Sequence, residues 1–232
     1  MKLSSSSRFL RTLIRGLAAL ILWPLFLPKR EGRPWMPEGE GGLLLANHHS
    51  LLDPILITYF YKSERLSFVA KKELFNIFAI GRILRAFRSI PLDRETADVR
   101  ATKLILAMIK EGQVVGLFPQ GTRVSLEEPT SMTPHAPMLY YAIRRGIPIM
   151  FTAVDPRYRL FGRPRFIFAD PVRPKLSGGL LSREEQEGVA WELMRRIYAI
   201  AGLDYEYEGR ERWQSFFDQR IELVPIPREE DH

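Results

Sequence analysis

The sequence predicts an α/β fold with a largely parallel central sheet flanked by helices, preceded by an N-terminal helical segment directed to a membrane interface. Two observations predict the fold. Short apolar runs such as Leu43–Ala46, Val114–Phe118 and Ile147–Val154 have the length of strands buried on both faces. Between them lie longer segments with helical start and stop signals, so strand and helix alternate along the chain. A third observation locates the chemistry. Polar knots at Asn47–Pro54, Asp93–Arg94 and Gln120–Arg123 each follow a strand-like run. Open α/β sheets hold ligands beyond the carboxyl ends of their strands, so the three knots are expected to meet in one crevice.

At the start of the chain, Ser4 to Ser7 offer N-caps. Leu10, Leu13, Ile14 and Leu17 recur at helical spacing, while Arg8, Arg11 and Arg15 form another stripe. Gly16 to Pro28 is an uncharged apolar run containing Trp23 and Phe26. It falls short of the ~20 residues that span a bilayer, and Pro24 and Pro28 are expected to break it further. This is the pattern of a helix lying in the membrane interface with its arginines among anionic head groups. A secretory signal has a similar shape, but no small-x-small cleavage site follows; the chain goes on Pro28-Lys29-Arg30-Glu31. A buried core helix is the remaining alternative. The expected organisation is an anchoring segment over 1–38, one domain over 39–224 and a frayed tail over 225–232.

The domain follows a glycine-rich hinge at Gly39–Gly42. After the first strand and knot, a helix is expected from Asp53 onward. Leu66–Ala70 reads as a strand, and Lys71-Lys72-Glu73 leads into a helix ending near Phe87. Ser89–Leu92 is a short strand. Thr96 to Glu111 is helical and stops at Gly112. Another helix ends near Arg145-Gly146, before the strand ending at Val154. Arg165–Ala169 is a further strand, and Ser182 with Glu185 forms a capping box for a helix reaching Ala201.

Composition narrows the chemistry. The 232 residues contain no cysteine and four histidines, which excludes disulfides, thiol catalysis and thiolate metal sites. A net charge of +7 calls for an anionic partner, whether nucleic acid, anionic lipid or a phosphorylated substrate. No nucleic-acid-binding motif accompanies the charge.

Two of the four histidines stand in the first knot. A histidine held by a carboxylate can take a proton from a hydroxyl and return it. His48 and Asp53 can form such a pair if His48 lies in the loop and Asp53 in the first helical turn. With no cysteine and no G-x-S-x-G serine, the attacking group would be the substrate's own hydroxyl. The competing reading makes Asp53 a helix cap, since Ser50 and Asp53 have the spacing of a capping box. A metal site at His48, His49 and Asp53 lacks a second ligand cluster. Arg94 and Arg123 have the forked donors that suit a phosphate, and Gly121 lets backbone N–H groups approach an oxyanion. A solvated surface charge is the ordinary alternative for each arginine.

Taken in order, these knots resemble the 1-acylglycerol-3-phosphate acyltransferase family. His48-x4-Asp53 resembles the family's first motif, Ser89–Arg94 its second, and Phe118-Pro119-Gln120-Gly121-Thr122-Arg123 its third, usually written F-P-E-G-T-R. Ile147–Met150 resembles the start of the fourth. The matching region, Gly41 to Val154, is roughly half of the chain. The resemblance implies a glycerolipid acyltransferase-like fold and transfer of a fatty acyl group from acyl-CoA or acyl-carrier protein to a lysophospholipid hydroxyl. It implies His48 as general base and Asp53 as its partner. Arg94, Gln120, Gly121, Thr122, Arg123 and Lys71 would line the substrate, and no metal or cofactor would be needed. The implied partners are membrane lipids and the acyl donor, on the cytoplasmic face of a membrane, and not nucleic acid. Two departures bear on the acceptor: Gln120 replaces the usual glutamate, and Phe151 stands where a second proline is expected. They leave open another lyso-lipid acceptor or a non-catalytic lipid-binding protein.

Overall fold

A computed structural model describes residues 5–93 and 99–228. Its helices are α1 (Ser5–Leu17), α2 (Trp23–Phe26), α3 (Asp53–Tyr61), α4 (Phe78–Ala86), α5 (Val99–Lys110), α6 (Ala136–Arg145), α7 (Arg183–Ile200) and α8 (Arg210–Arg220). Its strands are β1 (Lys29–Glu31), β2 (Gly42–Ala46), β3 (Leu66–Lys71), β4 (Ile90–Leu92), β5 (Val114–Leu117), β6 (Ile149–Asp155), β7 (Arg165–Phe168), β8 (Val172–Leu176) and β9 (Ile221–Pro225). The mixed sheet runs in the order β1-β7-β6-β2-β5-β3-β4, with β8 and β9 added beside β6. The pairs β6–β2, β2–β5, β5–β3 and β3–β4 are all parallel, whereas β7 and β8 run antiparallel to β6.

The central strand shows why the apolar runs read as doubly buried. Leu43 and Leu45 of β2 enter one core with helices α5 to α8, while Leu44 and Ala46 enter the other with α3. Successive side chains point to opposite faces, so a strand covered on both sides needs an unbroken apolar run. Helix ends also follow local chemistry. The Ser182 capping box is formed in both directions, and Gly112 and Gly146 take the left-handed conformation that closes α5 and α6.

Several expectations are corrected. The segment after Lys71 is not one helix. A 3-10 turn over Lys72–Asn76 is followed by an extended Ile77 and then α4. The turn folds back so that the Phe75 carbonyl sits against Gly81, where a Cβ would lie 2.2 Å from the carbonyl oxygen. Gly41 and Gly42 are packed rather than hinge-like; a Cβ at Gly41 would come within 2.2 Å of the Ile109 carbonyl. Lys29–Glu31 pairs with β7, so the last part of the 1–38 segment belongs to the sheet. At the other end β9 includes Pro225, and the Ile226 N–H bonds the Pro171 carbonyl. The expected helix start at Thr96 lies outside the described residues.

The N-terminal helix is reversed relative to expectation. From Ser5 to Phe26 it continues through a π-helical turn, Ala18–Leu22, and past Pro24. A widened turn relieves the clash that a proline ring makes in a regular helix. The stretch Arg8–Phe26 is therefore long and apolar enough, by length and composition, to cross a membrane. Yet Arg11 and Arg15 do not face head groups. Arg11 is 1% exposed. It donates from Nε to the Ala86 carbonyl (2.7 Å) and from Nη1 to the Glu64 carbonyl (2.9 Å). Arg15 donates to the Ser63 carbonyl at 3.0 Å. These acceptors lie at and just beyond the C-terminal ends of α4 and α3, where helix carbonyls lack intrahelical partners and the dipole favours cations. Burial lowers Arg11 to about 10, which still leaves it charged at neutral pH. The opposite stripe, Phe9, Leu13, Leu17 and Leu20, points outward. The arginines fasten the helix to the body and leave its apolar face exposed.

Candidate active site

The first knot leaves the C-terminal end of β2 and enters α3 at Asp53. The Asp53 carboxylate is fully buried and gathers four donors. Its Oδ2 accepts from His48 Nδ1 (2.9 Å) and from the backbone N–H groups of His49 (2.7 Å) and Ser50 (2.8 Å). Its Oδ1 accepts from the Tyr158 hydroxyl. The Asp53 carboxylate does take the Ser50 N–H, but α3 begins at Asp53 itself with Leu52 at its N-cap and no side-chain cap bond, so this carboxylate holds the loop and His48 rather than capping the helix. A carboxylate only accepts, so His48 carries its proton on Nδ1 toward Asp53 and keeps Nε2 as an acceptor. The His48 side chain is 14% exposed.

A ring stack sets the plane of that imidazole. His48 lies on Phe118 with centroids 4.1 Å apart and planes inclined by 19°. Phe118 in turn stacks on Phe68 at 5.3 Å and 12°. Gly116 makes room for the stack, since a Cβ there would lie 2.4 Å from the Phe68 ring.

Behind the pair, a buried polar cluster joins the first and third knots. Asn47 accepts from the Val154 N–H (2.7 Å) and donates to the Val154 carbonyl (2.8 Å), which fixes its amide orientation. Its Nδ2 therefore donates to His49 Nε2 at 2.9 Å, and His49 Nδ1 donates to the Val124 carbonyl at 2.8 Å. The Val124 N–H returns a bond to the His48 carbonyl at 3.0 Å. His49, to which the sequence assigned no role, is the pin between the two loops. Burial lowers its proton affinity. In the unfolded chain His49 titrates near the ordinary value of 6.5, so below that pH the unfolded state binds the extra proton. The melting temperature is expected to fall as the pH drops from 7 to 5. A calorimetric comparison should give a shallower fall for His49→Gln; an unchanged slope would reject this origin.

Gln120 does not line the open side. It is 3% exposed, and its Nε2 donates to the Pro129 carbonyl at 2.7 Å with Tyr198 Oη at 3.4 Å. Its place in the motif is to hold the loop. A carboxylate would set two acceptors against each other here, so Gln120→Glu, which restores the family's usual residue, is expected to cost about 1–3 kcal/mol of stability. Equal stability and higher turnover in the variant would contradict this placement. Gly121 has φ +71°, as the turn requires, and its N–H closes that turn on the Phe118 carbonyl at 2.9 Å. Thr122 is half-buried and Arg123 exposed beside it.

The three knots do not sit side by side. The first and third are neighbours because β2 pairs with β5, but β3 separates β5 from β4. The end of β3 accordingly brings Lys71 and Lys72 between them; Lys72 bonds Asp93, and Lys71 lies 3.9 Å from Glu73. Arg94 lies outside the described residues. Among those residues, no group of three or more His, Asp or Glu is arranged to hold a metal ion. Sequence reasoning missed Tyr158, which arrives from the loop after β6, the strand on the other side of β2. That position bears no motif, and only the pairing of β2 with β6 brings it to the site.

Large apolar side chains are also exposed on the first knot, the N-terminal helix, α4 and the loop after β6. Leu51, inside the first knot, is 64% exposed, Leu20 is 73% and Phe78 of α4 is 75%. Leu160 and Phe161 extend the set on the loop after β6. The elements that carry them are joined, because α1 packs on α3 and α4, and Phe161 N–H bonds the Leu25 carbonyl. Exposed large apolar side chains on elements packed together are the mark of a contact surface.

Comparison with known proteins follows the same region. The family model described as Acyltransferase matches residues 29–154. A 1-acyl-sn-glycerol-3-phosphate acyltransferase of Bacillus subtilis (strain 168) is 26% identical over 171 residues, 70% of this chain and 82% of that protein. A protein of the same name from Streptococcus pneumoniae is 30% identical over 127 residues, 53% of this chain and 48% of that one. The crystal structure of the 1-acyl-sn-glycerophosphate (LPA) acyltransferase PlsC from Thermotoga maritima superposes with a TM-score of 0.60 at 22% identity, covering 87% of this chain and 83% of that one. That likeness is one of fold.

Proposed function

The chain belongs to the Acyltransferase family, and on that premise we propose that it moves a fatty acyl chain from a thioester to the free hydroxyl of 1-acylglycerol-3-phosphate, giving phosphatidic acid. The observation that carries the reading is the 2.9 Å bond from His48 Nδ1 to the buried Asp53 carboxylate, next to the turn that follows Phe118. The relatives from Bacillus and Streptococcus support the acceptor, since both are named for acyl transfer to 1-acyl-sn-glycerol-3-phosphate.

In the proposed step His48 Nε2 takes the proton of the acceptor hydroxyl, and that oxygen bonds to the thioester carbonyl carbon. Asp53 stabilises the imidazolium so formed. The carbon–sulfur bond then breaks, and the proton passes from His48 to the leaving thiolate. No acyl-enzyme forms. The developing oxyanion is assigned to backbone N–H groups of the turn from Gly121 to Arg123, but not to Gly121's own N–H, which the turn uses. Arg123 at the rim, with Lys71 and Arg94, is assigned to the acceptor phosphate. No metal or cofactor enters the step; acyl-CoA or acyl-carrier protein is a substrate.

Membrane association has a physical basis in the same geometry. Acceptor and product are insoluble, and the exposed Leu51 lies between the two residues assigned to catalysis. Because the donor carriers are cytosolic, the protein is assigned to the cytoplasmic face of the cell membrane as a monotopic enzyme. Another acceptor was suggested by Gln120 and Phe151, but the Gln120 side chain is buried against Pro129 and Tyr198. The alternative acceptor then rests on Phe151 alone.

The test is a radiolabelled acyl-CoA transfer assay against a panel of lysophospholipids in vesicles, repeated with acyl-carrier protein. Phosphatidate formed from lysophosphatidate is the expected product. Product with another acceptor alone would rename the substrate, and no product with either donor would leave a lipid-binding protein.

A further inference from the structure

We infer that Tyr158 is a positioning residue for the Asp53–His48 pair, and that its loop ties this pair to the membrane helix. The inference rests on the proposed acyl transfer through His48 and Asp53 and adds a residue and a coupling to it.

The contacts form a continuous path. The Tyr158 hydroxyl donates to Asp53 Oδ1 at 2.5 Å, the oxygen that His48, His49 and Ser50 leave free. Burial, reinforced by the Asp53 charge, holds this phenol well above its ordinary range, so it stays a donor. Without that bond, Asp53 is fixed only through Oδ2 and can turn about its terminal torsion, which is soft for a carboxylate. A second bond on Oδ1 locks the carboxylate plane, and with it the direction of the His48 ring.

The tyrosine is itself held by the anchor. Its ring meets Phe26 edge-on at 6.1 Å. Two residues of the same loop bond the end of the anchor helix, Phe161 N–H to the Leu25 carbonyl (2.8 Å) and Arg163 N–H to the Phe26 carbonyl (2.9 Å). Those carbonyls are among the orphan acceptors of a helix C-terminus. Leu27, Phe161 and Arg163, all at this junction, are non-glycine residues in the left-handed region, with φ of 48°, 55° and 57°. Such conformations persist where the surroundings fix them. The side chains next to these backbone bonds are Leu25, Leu160 and Phe161, 40%, 62% and 60% exposed. A bilayer that receives them bears directly on the loop that holds Asp53. Seating the helix in lipid therefore orders Tyr158, and a poorly seated helix leaves Asp53 with one free oxygen.

The experiment compares wild type, Tyr158→Phe and His48→Ala, with lysophosphatidate presented in anionic vesicles and in detergent. Phenylalanine keeps the ring against Phe26 and removes only the hydroxyl. The expected result is a kcat on vesicles about 10-fold lower, as for one charge-assisted bond that acts in the transition state. KM for both substrates and vesicle flotation should be unchanged, while the melting temperature falls modestly because the buried Asp53 Oδ1 loses its donor. The vesicle-to-detergent activity ratio, high in wild type, should shrink in Tyr158→Phe. Wild-type kcat in Tyr158→Phe beside an inactive His48→Ala would overturn this inference alone. Activity in His48→Ala would overturn the reading on which it rests. A loss confined to KM or stability would assign Tyr158 a merely structural role. Should Tyr158→Phe fail to fold, Phe26→Leu keeps the hydroxyl but loosens its seat; a kcat loss of about 3-fold at constant KM is expected, and wild-type kcat would overturn the inference.

Discussion

His48→Ala is expected to lower turnover by about 10²- to 10⁴-fold, the range supplied by a positioned general base, while leaving the protein folded. The two halves of this expectation have separate grounds. Turnover falls because the neighbouring imidazole cannot substitute. His49 donates from Nδ1 to Val124 and accepts on Nε2 from Asn47, and burial keeps it neutral. Folding survives because the Asp53 carboxylate retains the N–H groups of His49 and Ser50 and the Tyr158 hydroxyl. The lost ring was part-exposed and stacked on Phe118, which keeps its contact with Phe68. Steady-state transfer kinetics and a melting curve on the same sample check both halves. Turnover near wild type would remove the general-base mechanism, and collapse of the melting transition would make the variant uninformative about chemistry.

How much of this was legible in the sequence depends on the range of each interaction. The apolar run Leu43–Ala46 reads as a buried strand because both faces of β2 are covered, which is a property of consecutive residues. His48 and Asp53 are five positions apart, so their pairing needs only one loop and one helical turn. The anchor's two stripes are also visible, but not which stripe meets the body. That depends on Arg11 finding carbonyls at Ala86 and Glu64, 75 and 53 residues away. Tyr158 is 105 residues from Asp53 and reaches it only because β6 lies beside β2. The strand order likewise hid the insertion of β3 between the second and third knots. Short, charged Lys29–Glu31 carries no strand pattern, and α8 buries only Trp213 and Phe217, too few for an apolar stripe. Gln120 is the instructive case. Its motif marks it as part of the substrate loop, while its side chain packs inward, and a motif identifies a loop more surely than it identifies where each side chain points.

The Asp53 pair of variants separates charge from hydrogen bonding. Asp53→Asn is nearly isosteric, and its amide can be satisfied without rearrangement. The carbonyl oxygen would take the donors from His48, His49 and Ser50, while the NH₂ group would donate to the Tyr158 oxygen, whose hydroxyl hydrogen rotates away. Melting is therefore expected to change little. What the variant lacks is negative charge behind the imidazolium, so kcat should fall by about 10³- to 10⁴-fold, as expected when the carboxylate of such a pair becomes an amide. Asp53→Ala differs in stability. It leaves the buried N–H groups of His49 and Ser50 and the Tyr158 hydroxyl without the oxygens that they meet at 2.7, 2.8 and 2.5 Å. Each such orphan costs about 1–3 kcal/mol, a large fraction of the stability of a domain held by about 5–15 kcal/mol. The expected pattern is thus two inactive variants of which one melts near wild type and the other well below it. If both melt alike, the four-donor geometry is not what holds this loop. If Asp53→Asn turns over like wild type, the charge is not needed and Asp53 only holds the loop through the N–H groups of His49 and Ser50.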